Sequence, residues 1–328
     1  MLSPEMLASA IRMSAPIIIT AVGAIYSERS GIVNIGLEGM MIVGAFAGAA
    51  GGVFLGPFGG ILVGMLAGAF MALIHAYASI QFKVDQIVSG TAINILAYGL
   101  VRFAAISIFR MATTTPHVDH LPAITVPLLA GIPWLKPILT HVSPLVFVAF
   151  LLVPLTAWIM NRTVFGLRLR SVGEYPLAAE TLGVNVYLMK YSGVIISGAL
   201  AGLSGAYLSV EHTGMYVEGM TQGLGFIALA AMIFGNWKPG GAMLAGLLFG
   251  FAQALSFRLV SEAIPFQFIK MIPYLLTIVV LAGWTRRSRP PAGVGVPYER
   301  GESTYAARSG AKSAATSAVS AGGTALIP

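Results

Sequence analysis

Apolar runs long enough to cross a bilayer follow one another along most of this chain, and no other feature restricts its fold so strongly. A helix needs about 20 mainly apolar residues to span the hydrocarbon core. A backbone inside hydrocarbon must satisfy its own hydrogen bonds, which leaves helices or a closed barrel, and runs of this length suit helices. Only 9% of the residues are charged, too few to cover a water-facing surface, and 57% are hydrophobic. The 39 glycines suit helices whose backbones approach through seams of small residues. The expected fold class is all-α, a polytopic membrane helical bundle.

The candidate spans are Met6–Tyr26, Leu37–Leu55, Phe58–Ile80, Gln86–Phe109, Ser143–Met160, Leu188–Val210, a short one near Gly223–Phe234, Gly241–Val260 and Ile264–Trp284, about nine in all. The short seventh reads equally as a re-entrant piece, which is tolerated at membrane depth only where protein or a cavity surrounds it. The first run has no small-residue cleavage site behind it and is expected to be retained.

The net charge of +7 is placed between the spans and in the tail, with no aromatic-interleaved basic patch for nucleic acid. Basic loops face the cytoplasm. Arg162, Arg168, Arg170 and Lys190 put 161–190 on that side, and Arg286, Arg287 and Arg289 put the C-terminus there. Counting outward places Arg29, Lys83 and Lys238 inside, with the N-terminus and the 111–142 stretch outside. The expected organisation is a transmembrane domain over 1–288 and a disordered cytoplasmic tail over 289–328. Its Ala/Ser/Gly/Thr-rich end offers little hydrophobic surface to offset ordering entropy. A weak internal repeat pairs Pro57, Gly59, Leu62, Gly64, Leu66 and Gly68 with Pro239, Gly241, Leu244, Gly246, Leu248 and Gly250 at one constant offset. The deduced topology runs the two segments in opposite directions, the pattern of an inverted repeat, although Gly/Ala/Leu-rich helices also match by composition alone.

Three segments carry polar chemistry. In 27–39, Glu28, Arg29, Asn34 and Glu38 sit among Gly31, Gly36 and Gly39. Ionisable groups avoid lipid and the glycines weaken helical continuity, so a break facing a ligand and a plain cytoplasmic turn are both open. In 163–185, Pro176 suits a first helical turn, Glu174 sits near its positive end and Gly183 is placed to end it. The product is a short amphipathic helix outside the membrane, suited to a partner's groove or to an ordinary loop. The third, 219–228 followed by 234–241, is a glycine-broken half-helix edged by Glu211, His212, Glu218 and Gln222, suited to a translocation path or to a plain outer loop. His117-Val118-Asp119-His120 has no third ligand at a recognised spacing, so no metal site is expected. There is no GxxxxGK[ST] loop, no catalytic constellation and no cysteine.

Glu28-Arg29-Ser30-Gly31-Ile32-Val33-Asn34-Ile35-Gly36-Leu37-Glu38-Gly39, Gly166-Leu167-Arg168 through Gly173-Glu174, and Gly223-Leu224-Gly225-Phe226-Ile227-Ala228 with Pro239-Gly240-Gly241 together resemble the bacterial ABC-importer permeases for branched-chain amino acids, ribose-type sugars and nucleosides. The first segment is most similar to the purine-nucleoside (guanosine) type. The resemblance covers about 6–285. It implies a non-enzymatic inner-membrane transport subunit without cofactor of its own, paired with a second, related permease chain. Cytoplasmic ABC ATPase subunits using ATP and Mg, and an extracytoplasmic solute-binding protein, are the other implied partners. It also implies that Gly166, Arg170, Gly173, Glu174, Pro176, Ala179 and Gly183 belong to the ATPase-coupling region. The substrate-path candidates Asn34, Glu38, Asn94 and Gln222 rest on polarity at membrane depth. A sugar or branched-chain amino acid permease, a stand-alone ion-coupled transporter using Glu38 or Asp85, and a non-transporting scaffold remain alternatives.

Overall fold

The computed structural model describes residues 3–124, 140, 142–259, 271, 275, 278 and 289–300. These form α1 (Pro4–Arg29), α2 (Leu37–Ala76), α3 (Gln86–Phe109), α4 (Pro144–Arg162), α5 (Val164–Glu174), α6 (Pro176–Thr181), α7 (Val186–Ala206), α8 (Leu224–Phe234) and α9 (Pro239–Arg258). Wider π-turns, Tyr77–Gln81 and Tyr207–Thr213, prolong α2 and α7. Side chains of Ser3, Asp85, Ser143, Thr163 and Asn185 accept backbone N–H bonds at the starts of α1, α3, α4, α5 and α7. Asp85, weighed above as an ion relay, is thereby a helix cap to Ile87 and Val88 at 2.8 and 3.0 Å.

Six helices among the described residues are long and apolar enough to cross a membrane, so the all-α membrane bundle stands while the count of about nine does not emerge. Two expected spans, Leu37–Leu55 and Phe58–Ile80, correspond to the two limbs of α2, which is interrupted between them. It bends at Gly56, whose φ of 76° and ψ of 172° leave the helical region. Gly223–Phe234 is the 11-residue α8, too short to span. Ile264–Trp284, Lys136, Arg286, Arg287 and the tail beyond 300 lie outside the described residues.

Glycine seams set the packing. The two limbs of α2, 37–55 and 57–76, fold back on each other so tightly that a Cβ on Gly64 would lie 2.7 Å from the Gly44 carbonyl oxygen. α7 enters the same seam, where a Cβ on Gly68 would sit 2.6 Å from the Gly202 Cα. On the outward side Phe58, Leu62, Leu66 and Phe70 recur every four residues and stay exposed, as suits a lipid-facing helix surface.

Helix directions follow from the contacts. Ser204 and Tyr207 of the α7 region donate to the Pro16 and Arg12 carbonyls of α1, while Gly193 packs near Ser30, so α1 and α7 are antiparallel. α9 is also antiparallel to α1, because Arg258 reaches Ser3 at 3.0 Å while Gly246 packs near Ile18. The second limb of α2 opposes α7, with Gly64 beside Ala206 and Gly68 beside Gly198. The two repeat-bearing segments, 57–76 and Pro239–Arg258, therefore run in opposite directions.

Gly202→Val should force the α2–α7 seam apart, at a cost of about 1–3 kcal/mol or more. The expected outcome is a lower thermal midpoint in detergent and a reduced folded yield, whereas Leu244→Val on an exposed face should change neither.

Candidate coupling face and solute path

α1 ends at Ser30, and the next six residues are not helical although they are largely buried. Helix resumes only at Leu37. Several backbone groups exposed by this interruption are answered by side chains of α1, α2 and α3. Val33 donates to Gln86 Oε1 at 2.7 Å, and its carbonyl accepts from His75 Nε2 at 3.0 Å. Ser27 Oγ donates to the Ile32 carbonyl at 2.8 Å. Asn94 serves both sides of the restart, donating to the Ile35 carbonyl at 3.1 Å and accepting from Gly39 N–H at 2.7 Å. Gln86 and Asn94 are eight positions apart on α3, about 12 Å along its axis, so the interruption climbs that far from the α3 start.

A second interruption meets it. The loop 214–223 carries four residues with positive φ, Gly214, Gly219, Gln222 and Gly223, and ends where α8 begins. The Glu38 carboxylate sits on that helix start, accepting from Thr221 Oγ1 at 2.6 Å, Gly223 N–H at 2.9 Å and Gly225 N–H at 2.8 Å. A negative group at the positive end of a helix is favourable, and here it also fills orphan N–H positions. Glu38 thus joins the restart of α2 to the start of α8.

The four polar candidates separate in the structure. Glu38 and Asn94 spend their hydrogen-bonding groups on the two interruptions. Asn34 is fully buried, donating to Ser197 Oγ at 3.1 Å, while its Oδ1 has no partner among the described residues. Gln222 lines a cavity of about 370 Å³ that also touches Met13, His212, Glu218, Ile227, Gln253 and Phe257. Sequence reasoning missed Gln86, His75 and Ser27 as backbone partners, and Gln253 as a lining residue. Two carboxamides eight apart on a mainly apolar α3 were the available signal for Gln86 with Asn94.

At this same end of α1, Glu28 accepts from Trp237 Nε1 at 2.5 Å and Arg29 donates to the Trp237 carbonyl from Nε and Nη2 at 3.4 and 3.2 Å. Both side chains thereby grip the α8–α9 turn, where Asn236 and Trp237 have φ of 54°. α5 lies beside this clamp. Arg29 Nη1 stands 3.7 Å from Glu174, and Gly173 touches the Arg29 carbonyl so closely that a side chain there has no room.

Residues 289–300 complete this end as an ordered strap, although composition places them in the tail. Gly293 donates to the Gly173 carbonyl at 2.8 Å, Gly295 to the Gly31 carbonyl at 3.3 Å and Ala292 to Glu174 Oε2 at 3.1 Å. Arg289 donates through its backbone to Asn236 Oδ1 at 3.1 Å, Arg300 reaches Glu180 at 3.0 Å, and Lys83 pairs with Glu299. Tyr298 is buried with its ring 5.3 Å from Tyr187, and burial together with Glu180 pushes its phenol above the usual tyrosine range. Glycine is required where 31, 173 and 293 converge because Gly31 has φ of 88° and a Cβ on it would meet Lys190 Nζ at 3.0 Å.

The coupling candidates fall on both sides of α5 and α6. Gly166, Gly173, Pro176 and Ala179 face inward and are buried, Arg170 is partly buried, Glu174 holds the strap, and Gly183 (φ 79°) turns the chain in the open. The outward surface is apolar: Val164, Leu167, Tyr175 and Leu182 are exposed, Leu182 by 84%. At the opposite end His120 Nδ1 bonds the Val210 carbonyl at 2.9 Å and Glu211 accepts from Leu121 N–H at 2.7 Å, tying 111–124 down. Among the described residues no group of three His, Asp or Glu side chains is placed to hold a metal.

The sequence profile of the family described as "Branched-chain amino acid transport system / permease component" matches residues 6–281, which spans both interruptions and α5–α6. The chain belongs to this permease family. The permease is 44% identical to the guanosine ABC transporter permease protein NupQ of Bacillus subtilis, over 88% of its own length and 94% of the relative's. It is 40% identical to the nucleoside ABC transporter permease protein NupC of Lactococcus lactis, over 87% and 93%. Bacillus subtilis holds a second relative, the guanosine ABC transporter permease protein NupP, 25% identical over 84% of this chain and 81% of the relative.

Glu38→Gln replaces an acceptor oxygen with an amide that faces N–H donors. Bonds to a charged acceptor contribute about 1.5–3 kcal/mol, so a thermal scan of the variant in detergent should show a fall in midpoint of several degrees. Lys83→Ala, which removes an exposed pair, should stay near wild type.

Proposed function

We propose that this permease is one of two membrane subunits of an ATP-driven importer for nucleosides in the inner membrane, without an ATPase site of its own. The observation that carries the reading is the α5–α6 face. Four apolar side chains, Val164, Leu167, Tyr175 and Leu182, stand exposed beyond the last turn of α4, with Arg162 and Arg168 beside them. A knob of this kind in water needs a partner groove. Cytoplasmic ABC ATPase subunits fit it, since the basic residues Arg29, Lys83, Arg162, Arg168, Lys238 and Arg289 gather at the same end and basic loops face the cytoplasm. That orientation puts the strap and the C-terminus inside and the 111–124 and 214–223 loops outside, where a solute-binding protein delivers its load.

Nucleoside is the favoured cargo because relatives 44% and 40% identical to this chain are named for guanosine and nucleosides. Motion of the ATPase dimer would press on α5 and pass through Gly173 and Glu174 to the end of α1. From there the Trp237 clamp reaches α8 and α9, so both interruptions lie downstream of one contact. Alternating access follows if the two permease chains rock about these junctions. Asn34, Glu38 and Asn94 then shape the path as supports of its backbone, and Gln222 borders it directly.

Leu182→Asp puts a charge on the exposed knob without touching a buried residue. Radiolabelled guanosine uptake should fall at least tenfold, and the ATPase should no longer copurify, while membrane levels of the chain stay unchanged. Deleting the ATPase subunit should abolish uptake and a protonophore should not; the reverse result would favour an ion-coupled carrier.

A further inference from the structure

The 370 Å³ cavity lies far from the coupling face, at the small end of the range for ligand sites, about 300–1,000 Å³. Met13 on α1 and Gln253 on α9 mark its position. Met13 is sixteen residues before Arg29, roughly 24 Å along the helix at about 1.5 Å per residue. The cavity therefore opens toward the end that carries the 214–223 loop. Met13, Leu208, Ile227 and Phe257 give it apolar walls, while polar groups converge from three elements: His212 from the end of α7, Gln222 from the loop and Gln253 from α9.

Gln253 is the informative residue. It is half-buried within the last two turns of a membrane helix, and its amide makes no hydrogen bond to a described residue. The imidazole of His212 likewise has none. An amide in such a helix is tolerated when it faces a water-filled path, where it marks a route for polar solute. A carboxamide offers donor and acceptor edges together, which matches a nucleobase, and the apolar walls match the faces of the base.

The charge of the lining narrows the ligand further. Glu218 is the one ionised group among the described lining residues, it is an anion, and it leans toward Arg102 at 3.8 Å. No lysine or arginine lines the cavity among those residues. A phosphate or an amino acid carboxylate would enter without a counter-charge, against a carboxylate already present. A free sugar has no planar aromatic face to lie against these walls, whereas a nucleoside brings one beside its sugar.

We infer that this cavity is the outer recognition site of the translocation path, that it takes uncharged nucleosides and rejects nucleotides and amino acids, and that Gln253 reads the base. This rests on the nucleoside-importer reading. The chain has no native cysteine, so Gln253→Cys introduces a single thiol that a membrane-impermeant cationic methanethiosulfonate reagent can reach from outside. In the assembled importer, millimolar guanosine should slow labelling at least fivefold, whereas guanosine 5′-monophosphate, leucine and glucose should leave the rate unchanged. Leu244→Cys, on an exposed face of α9 near the other end, should show no guanosine effect.

Gln253→Leu should lower the maximal guanosine uptake rate at least tenfold, with membrane levels and ATPase copurification as in wild type. If the wild-type importer transports guanosine and labelling at 253 ignores it, the cavity assignment falls. Protection by the monophosphate equal to that by guanosine also overturns it. A wild-type importer that moves leucine or glucose but no guanosine sinks the nucleoside reading itself.

Discussion

A stretch of backbone that leaves the helix inside the membrane must find its hydrogen bonds elsewhere, and 31–36 finds them on α2 and α3. Gln86, His75 and Asn94 accept or donate at Val33, Ile35 and Gly39, and Ser27 answers at Ile32. An unmet backbone group in hydrocarbon costs several kcal/mol, so this set of side chains is a condition for the interruption to persist. The same constraint governs the start of α8, where three donors would point into the protein unmet without Glu38. The bundle thus holds two interruptions through side chains, where continuous helices would have needed none.

Much of this was legible in the sequence. The spans of α1, α3, α4, α7 and α9 follow from run length and apolar content, and the all-α bundle follows from them. The fragility of 27–39 showed in its glycines and charges, and the shortness of Gly223–Phe234 showed in its flanking glycines. The roles of Asn34, Glu38 and Asn94 did not show, because polarity at depth looks the same whether a side chain meets a ligand or the chain's own backbone. Distinguishing these requires knowing what lies across from each group, and Glu38 and Thr221 are far apart in sequence. Gly56 hid the relation between two spans for a similar reason: one residue with positive φ turns a long helix into a hairpin without changing its composition.

The strap was illegible for a different reason. Residues 289–300 carry few apolar groups, and composition rightly reports that they cannot form a core. They are ordered by others: glycines that let backbone meet backbone at 31 and 173, and single anchors at Tyr298, Arg300 and Glu299. Composition measures what a segment can bury by itself, not what a preformed surface can hold. The clamp of Glu28 and Arg29 on Trp237 shares this character, since the acceptor carbonyl and the indole come from a turn with positive φ that no residue type announces.

The strap lies after α9 in chain order, yet it completes a surface built mainly from α1 and α5. Those helices leave the ribosome well before residues 289–300 do, so the surface stays unfinished until the strap has followed them. A partially made chain would present α5 with Glu174 unanchored and Gly173 uncovered. The inner side of α5 is therefore completed by chain that follows every described helix, so its geometry depends on the last described segment to be made.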